Sequence, residues 1–197
     1  MARVIVIANS KGGTGKSTIT LNLYQYFIAN GASCGILDTD LQQSITLLDT
    51  NYEKNIALVD PHTSPEALKD IDYEIVLVDT PPYRTGAGGF MSVADFVLIP
   101  VNPSPMDAMA IHSILADVQE AGVKHAVVLN RVAPKTSLTD EIRKTIEAFG
   151  CKVLQTQINN RVAYSRSLIY DDLDSEANAK ASVELSSLAN EVLRLML

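Results

Sequence analysis

Short apolar runs recur along the chain and are separated by longer segments of mixed polarity. The runs are rich in valine and isoleucine and show no regular polar alternation. They cover Val4 to Ala8, Cys34 to Leu37, Ile75 to Val78, Phe96 to Val101 and Ala126 to Leu129. Such runs are typical of parallel strands buried on both faces, so the pattern predicts a mostly parallel β-sheet.

Helix-length segments lie between these runs and near the end of the chain. They cover Lys16 to Asn30, Asp107 to Ala121, Leu138 to Phe149 and Glu176 to Leu195. A glycine follows each of the first three, where glycine commonly ends a helix. Strands that alternate with helices predict an α/β fold with helices on both faces of the sheet. No linker, repeat or low-complexity tract is visible, so residues 1–197 are predicted to form one domain.

The last predicted helix carries an apolar stripe that can pack either on the sheet or on a membrane surface. The stripe consists of Leu185, Leu188, Val192, Leu195 and Met196. A helix that binds a membrane surface carries many lysines and arginines on its polar face. This helix has only Lys180 and Arg194, against Glu184 and Glu191. We therefore predict that it packs on the sheet and that no membrane is a partner.

Composition and charge exclude few classes of protein. Of the 197 residues, 47% are hydrophobic and 20% are charged, as in an ordinary globular protein. The net charge of -7 argues mildly against a protein whose whole surface binds nucleic acid. Cys34 and Cys151 lack metal-ligand spacing, which indicates buried thiols in a reducing cytoplasm. No stretch has the length of a membrane span, and the apolar start is too short for a signal peptide.

The segment SKGGTGKST, residues 10–18, has the form of a phosphate-binding loop between a strand and a helix. Its glycines allow backbone N–H groups to turn toward phosphate oxygens, and the helix that follows adds its N-terminal dipole. Lys16 is predicted to bridge the β- and γ-phosphates of a nucleotide, and Ser17 to place its hydroxyl on Mg²⁺. The loop departs from the usual pattern at its start, because Ser10 replaces the first glycine and Lys11 adds a second lysine. This loop predicts a P-loop NTPase-type fold.

Carboxylates follow two of the predicted strands. Asp79 ends the run that begins at Ile75, where it can hold Mg²⁺ beside the phosphate loop. Asp38 ends another run, and Asp40 lies two residues further on. A carboxylate at Asp40 can reach the water that attacks the γ-phosphate.

Several segments together resemble the ParA/MinD family of deviant Walker A ATPases, and most closely its short ParA-type partition members. The segments are KGGTGKST at 11–18, DTDLQQS at 38–44, LVDTPP at 77–82, LIPVNPSPMDAMA at 98–110 and INNRVAYSRSL at 158–168. The resemblance implies that Lys11 reaches across an ATP-sandwich homodimer to the phosphates of the partner. Asp40 would orient the hydrolytic water, although Leu41 replaces the proline that often follows it. Asn130 would meet the adenine, although an asparagine at a strand end is often only a turn residue.

The residues and ligands implied by the loop and the resemblance form one set of expectations. The predicted catalytic residues are Lys11, Lys16 and Asp40. The predicted metal ligands are Ser17, Asp40 and Asp79. The predicted ATP-binding residues are Lys11, Gly12, Gly13, Thr14, Gly15, Lys16, Ser17, Thr18 and Asn130. The expected ligands are ATP and Mg²⁺, and the expected partners are a second copy of the chain, non-specific DNA and a ParB-like or other stimulating adaptor protein in a cytoplasmic, nucleoid-associated setting.

A basic segment makes DNA the expected binding partner of the ATP dimer. Between residues 124 and 166, eight lysines and arginines face three acids, an excess of five positive charges in an acidic chain. The candidate DNA-binding residues are Arg143, Lys144, Lys152, Arg161 and Arg166. Arg143 and Lys144 can equally be a solvated helix face, and Arg131 can belong to the nucleotide site. Three roles remain open for the acidic stretch 171–176. It can bias the orientation of the dimer on DNA, bind a basic peptide of a partner, or start the last helix.

Two other functions remain open at this level. One is an ATP-dependent metabolic P-loop enzyme, such as a dethiobiotin synthetase-like ligase, although no set of substrate-binding residues is visible. The other is a family member that regulates a surface apparatus, such as cellulose synthesis or flagella. The chain begins at its first strand, so operator-specific autoregulation by an N-terminal helix-turn-helix is not expected.

Overall fold

A parallel β-sheet forms the centre of the molecule. The computed structural model describes residues 1–82, 87–134, 136–170 and 176–197. Across these residues the sheet has six strands, in the order β2-β3-β1-β4-β5-β6, and all of its pairings are parallel. The strands are β1 (Arg3–Ile7), β2 (Cys34–Asp38), β3 (Ile75–Asp79), β4 (Phe96–Val101), β5 (His125–Val132) and β6 (Val153–Asn159).

Helices cover both faces of this sheet. They are α1 (Lys16–Ala29), α2 (Ser44–Tyr52), α3 (Ala87–Val93), α4 (Pro105–Glu120), α5 (Leu138–Ala148), α6 (Val162–Tyr170) and α7 (Ala179–Met196). One core cluster joins the sheet to α1, α2, α6 and α7, and the other joins it to α3, α4 and α5. Successive β1 residues alternate between the clusters, with Val4 and Val6 in one and Ile5 and Ile7 in the other. Because both faces are covered, the strands need apolar residues at every position, as their sequences predict.

The predicted α/β architecture is confirmed, with additions and shifted boundaries. All five predicted strands and four predicted helices are present, but β6, α2, α3 and α6 were not predicted. Strand β6 reads VLQTQIN and carries polar side chains because it lies at the edge of the sheet. The last helix was predicted from Glu176, whereas a 3₁₀ turn covers Glu176–Asn178 and the α-helix begins at Ala179.

Helix α7 packs on the sheet, as its apolar stripe predicts. Leu185, Leu188 and Val192 are buried, and Leu195 and Met196 pack partly against the same core. None of the described helices combines the length and apolar character that crossing a bilayer requires.

The polar side of α7 also stabilises edge strand β6. Glu191 accepts hydrogen bonds from the backbone N–H groups of Gln155 and Thr156, both at 2.9 Å. Burial by itself raises the pKa of Glu191, but these hydrogen bonds outweigh it and hold the pKa below its usual value. The ionised carboxylate is therefore the form that the fold favours.

Replacing Glu191 with glutamine should destabilise the protein in a pH-dependent way. We expect the free energy of unfolding at pH 7 to fall by about 1–2 kcal/mol, because an amide offers one acceptor oxygen for two N–H groups. The folded-state pKa is lowered, so the carboxylate stabilises the fold above its unfolded-state pKa of about 4.3 and loses this effect as the pH falls through the folded value. Thermal unfolding at pH 7 and pH 3 measures the difference.

The exposed Glu147 on α5 supplies the matched control. Glu147→Gln should leave the melting temperature nearly unchanged at both pH values. If the loss caused by Glu191→Gln were as large at pH 3 as at pH 7, the ionised carboxylate would not be the stabilising group.

Candidate functional site

The predicted site residues converge at the carboxyl edge of the sheet. The phosphate loop connects β1 to α1, while Asp38 and Asp79 are the last residues of β2 and β3. Asn130 lies near the end of β5, two strands away from β1. Parallel strands end at the same edge, so three loops that are distant in sequence become neighbours around one cleft.

The backbone of the phosphate loop depends on glycine at two positions. Gly13 and Gly15 have φ angles of 75° and 92°, in the left-handed region that side chains rarely adopt. A Cβ atom on Gly15 would also clash with the side-chain amide of Asn130. That amide donates a 2.7 Å hydrogen bond to the carbonyl oxygen of Thr14. Asn130 therefore supports the loop from β5, in addition to any contact with a ligand.

Lys16, Ser17 and Asp79 lie together at the base of the cleft. The hydroxyl of Ser17 donates a 2.6 Å hydrogen bond to one oxygen of Asp79, and Thr20 contacts the other oxygen at 3.3 Å. Burial raises the pKa of Asp79 to about 7. Burial also lowers the pKa of Lys16, while the carboxylates of Asp79 and Asp40 oppose this. The lysine can thus bind a phosphate, and the hydroxyl and the carboxylate can bind a divalent cation.

Magnesium is the cation that this donor set fits. Mg²⁺ at nucleotide sites uses one or two protein oxygens, and phosphates and water supply its remaining ligands. The hydroxyl of Ser17 and the carboxylate of Asp79 meet that requirement. Within the described ranges, no cluster of three or more His, Cys, Asp or Glu side chains could hold a metal ion by itself.

Asp38 and Asp40 have different environments although they are only two residues apart. Asp38 is buried and accepts hydrogen bonds from the backbone N–H groups of Ile45 and Thr46, at 3.1 and 3.2 Å. It also accepts one from the N–H of Asp40 at 3.2 Å. Asp38 therefore holds the turn and the start of α2. Asp40 is half-buried, and among the described residues its side chain accepts one hydrogen bond, to Oδ1 from the N–H of Gln42 at 3.0 Å.

Lys11 forms an ion pair with Asp107 of α4 in its own protomer. The side chain of Asp107 is only 6% exposed, whereas that of Lys11 is 41% exposed. Ser104 caps α4 by accepting a hydrogen bond from the N–H of Asp107 at 3.1 Å, and its hydroxyl donates to the Asp107 carboxylate at 2.9 Å. The cap fixes the carboxylate that holds Lys11, so the free protomer directs this lysine toward α4.

A second cavity lies beside the phosphate loop, between the ends of β5 and β6. Thr18 and Asn22 of α1 line one side. Asn130 and Arg131 line the β5 side, and the segment 159–161 lines the β6 side. The Oδ1 atom of Asn130 accepts no hydrogen bond from the described residues, so it can accept one from a ligand in this cavity.

The five candidate DNA-binding residues do not form one cluster. Lys152 precedes β6 and Arg161 follows it, so the strand separates them by about 23 Å. Arg161 donates two hydrogen bonds to Glu184, at 2.9 and 2.6 Å, which neutralise its charge. Arg143 donates to the carbonyl oxygen of Leu154 at 2.7 Å. Lys144 and Arg166 are exposed, and the guanidinium of Arg166 lies 5.6 Å from the ring centre of Tyr170.

The sequence did not predict the contacts that two residues make in this site. Thr20 lies one helical turn after Ser17, and that spacing could have identified it as a second contact of Asp79. Asp107 was not linked to Lys11, because the two lie 96 positions apart in the sequence. Of the acidic stretch 171–176, only Glu176 belongs to the described residues, so the proposed roles of the stretch fall outside them.

Comparisons with known proteins agree with this geometry. The family model described as the CobQ/CobB/MinD/ParA nucleotide binding domain matches residues 5–181. The maintenance of carboxysome distribution protein A of Halothiobacillus neapolitanus is 30% identical, with 98% of this chain and 97% of the relative covered. Protein ParA of Rhizobium radiobacter is also 30% identical, over 82% of this chain and 80% of its own.

A solved structure extends the agreement to the fold. A plasmid partition protein from Borrelia burgdorferi bound to AMPPNP superimposes with a TM-score of 0.78 at 15% identity, covering 98% of this chain and 99% of that chain. The family resemblance carried by the sequence motifs is thereby confirmed. The chain belongs to the CobQ/CobB/MinD/ParA nucleotide-binding family.

Proposed function

We propose that this protein is a ParA-like ATPase that dimerises around ATP, binds DNA without sequence preference and positions a cargo. The observation that carries the proposal is the arrangement of the phosphate loop. Lys16 lies beside the Ser17–Asp79 pair, and a second lysine, Lys11, lies at the exposed edge of the same cleft. One lysine is suited to the protomer's own nucleotide and the other to contact with a partner.

ATP with Mg²⁺ is the ligand that the cleft is proposed to bind. Lys16 would contact the β- and γ-phosphates, while Ser17 and Asp79 would hold Mg²⁺. Bound Mg²⁺ supplies charge neutralisation of the phosphates. The Oδ1 of Asn130 can accept a hydrogen bond from the amino group of adenine, which guanine lacks at that position. The similar partition protein with bound AMPPNP supports an adenine nucleotide.

Hydrolysis is proposed to depend on Asp40. Asp38 holds the turn through several hydrogen bonds, whereas the Oδ2 of Asp40 accepts none from the described residues and can orient a water molecule. The carboxylate of Asp40 also opposes the lowering of the Lys16 pKa, which supports a position of Asp40 near the phosphate site. A single carboxylate without further activation suits slow hydrolysis that a partner protein stimulates.

Dimerisation is proposed to bury an apolar rim around the cleft. Leu41 is 97% exposed directly after Asp40, and Met106 and Met109 are 75% and 58% exposed in the first turns of α4. Exposed apolar side chains beside a charged cleft are typical of a surface that meets a partner. The negative charge of ATP would draw Lys11 of each protomer away from Asp107 and toward the other's phosphates. ATP would thus form the dimer, and hydrolysis would dissolve it.

DNA and a cargo adaptor are the proposed partners of the ATP dimer. One relative is named for carboxysome distribution, and the structurally similar Borrelia protein is named for plasmid partition. A ParB-like or other adaptor would stimulate hydrolysis, and binding to the nucleoid in the cytoplasm would provide the surface for positioning. Lys144, Lys152 and Arg166 are the candidates that are exposed at the surface. Two basic faces per dimer would strengthen phosphate contacts relative to the monomer.

The variant Asp40→Ala should bind ATP and remain in the dimeric state. Removing the carboxylate takes away the group that orients water and leaves the phosphate contacts unchanged, so we expect ATP turnover to fall at least tenfold. Phosphate release measures the turnover, and light scattering after removal of free ATP measures the lifetime of the dimer. Asp72→Ala, an exposed residue shortly before β3 at the opposite edge of the sheet, is the control. Normal turnover in Asp40→Ala would remove this residue from the proposed mechanism.

Size-exclusion chromatography with light scattering tests the proposed function as a whole. The protein is run with Mg-ADP, with Mg-ATP, and with Mg-ATP plus duplex DNA of random sequence. We expect a dimer only with ATP, and a DNA complex that dissociates as salt rises. An ATP dimer that does not bind DNA would indicate that the protein acts on another surface. A protein that stays monomeric with ATP would favour an ATP-dependent metabolic P-loop enzyme.

A further inference from the structure

Arg131 occupies a strained backbone position next to the nucleotide cleft. Its φ angle is 53°, in the left-handed region, although it is not a glycine. The strain coincides with a bulge, because β5 advances from Leu129 to Val132 while β6 advances only from Gln157 to Asn159. Such strain costs about 1–3 kcal/mol and is found where a side chain has to be aimed at a functional site.

The bulge directs the side chain of Arg131 onto the phosphate loop. Its guanidinium donates a 2.9 Å hydrogen bond to the carbonyl oxygen of Gly13. Within the described part of the chain, Arg131 forms no ion pair with a carboxylate. Arg161 on the opposite side of the cavity differs, because Glu184 neutralises it. Arg131 thus presents a guanidinium that is fixed at one end and unpaired in charge.

We propose that Arg131 forms the wall of the nucleobase site and packs its guanidinium plane against the adenine. This inference rests on the proposed binding of ATP and identifies a residue that sets nucleotide affinity. A guanidinium is planar and weakly hydrated, so it stacks well on aromatic rings. The base would lie between Arg131 and the segment 159–161, with Asn130 at its edge. The hydrogen bond to Gly13 holds the plane in place before the ligand arrives, which lowers the entropic cost of binding.

Two other roles for Arg131 predict different ligand preferences. A contact with the nucleotide phosphates would act on any polyphosphate, whether or not it carries a base. A contact with DNA would leave nucleotide affinity unchanged and would alter only the complex of the ATP dimer with DNA. A stacking contact acts on nucleotides alone, so inorganic tripolyphosphate separates the three roles.

The experiment measures the binding of Mg-ATP, Mg-ADP and Mg-tripolyphosphate by calorimetry in Arg131→Gly and Arg131→Lys. We expect the Kd of ATP and of ADP to rise about tenfold in Arg131→Gly, which corresponds to about 1.4 kcal/mol. The Kd of tripolyphosphate should change less than twofold. Arg131→Lys should recover only part of the loss, because lysine keeps the charge but lacks the plane. Glycine relieves the backbone strain, so the melting temperature should not fall.

Each alternative result overturns the inference in a recognisable way. Equal losses for ATP and tripolyphosphate would make Arg131 a phosphate contact. If Arg131→Gly binds ATP and ADP like the parent, and the parent dimerises with ATP, the proposed role of Arg131 is wrong and the proposed function stands. A parent protein that binds no adenine nucleotide would overturn both proposals. Arg3→Ala, an exposed arginine at the opposite edge of the sheet, is the control and should bind all three ligands like the parent.

Discussion

Lys16→Ala should abolish measurable binding of Mg-ATP, with a rise in Kd of at least 100-fold. Lys16 is 6% exposed at the start of α1, beside the Ser17–Asp79 pair. Its ammonium group lies at the bottom of the cleft, where it can donate charge-assisted hydrogen bonds to phosphate oxygens. Such hydrogen bonds contribute about 1.5–3 kcal/mol each. Two such contacts to the β- and γ-phosphates account for the expected loss. Titration calorimetry with Mg-ATP measures it.

The fold itself should tolerate this substitution. Burial lowers the pKa of Lys16 because it disfavours the charged ammonium, so this charge is not expected to stabilise the ligand-free fold. We therefore expect a melting temperature close to that of the parent. Lys69→Ala is the matched control, because Lys69 pairs with Asp95 at the opposite edge of the sheet. An ATP affinity within tenfold of the parent would show that Lys16 is not the main phosphate ligand.

Lys11→Ala should separate ATP binding from dimerisation, which is the second large effect. Lys11 pairs with Asp107 in the free protomer, so it contributes little to the protomer's own phosphate site. In the proposed dimer each lysine contacts the partner's phosphates, and two such contacts are lost together. We expect the dimer dissociation constant with Mg-ATP to rise at least 100-fold, while the affinity for ATP changes less than fivefold. Light scattering across a concentration series measures the first quantity, and calorimetry measures the second.

The same Lys69→Ala variant controls for the loss of a lysine from an ion pair. Both variants remove one lysine and leave one aspartate, but only Lys11 lies beside the nucleotide cleft. A dimer of normal strength in Lys11→Ala would refute the proposed contact across the interface. Loss of ATP binding in Lys11→Ala would instead move this lysine into the phosphate site of its own protomer.

The local features of the fold and of the site follow from the sequence. Apolar runs predict the interior strands, because a strand covered on both faces needs apolar residues throughout. The phosphate loop is equally local, since its glycines, Lys16 and Ser17 act within a few residues of one another. Asp79 could be assigned to the same cleft because a carboxylate at the end of a parallel strand must lie at the edge where the loop lies.

Contacts between distant segments were decided only by the tertiary structure. Strand β6 has polar residues and is recognisable as a strand only through its pairing with β5 and its support from Glu191. The pairing of Lys11 with Asp107 and that of Arg161 with Glu184 depend on which elements are neighbours in space. Charge counted along the sequence treated Arg161 as available for DNA, whereas packing places it against a carboxylate. Sequence patterns thus determine elements and local loops, and the folded arrangement determines which charges remain available, because ion pairs form between neighbours in space.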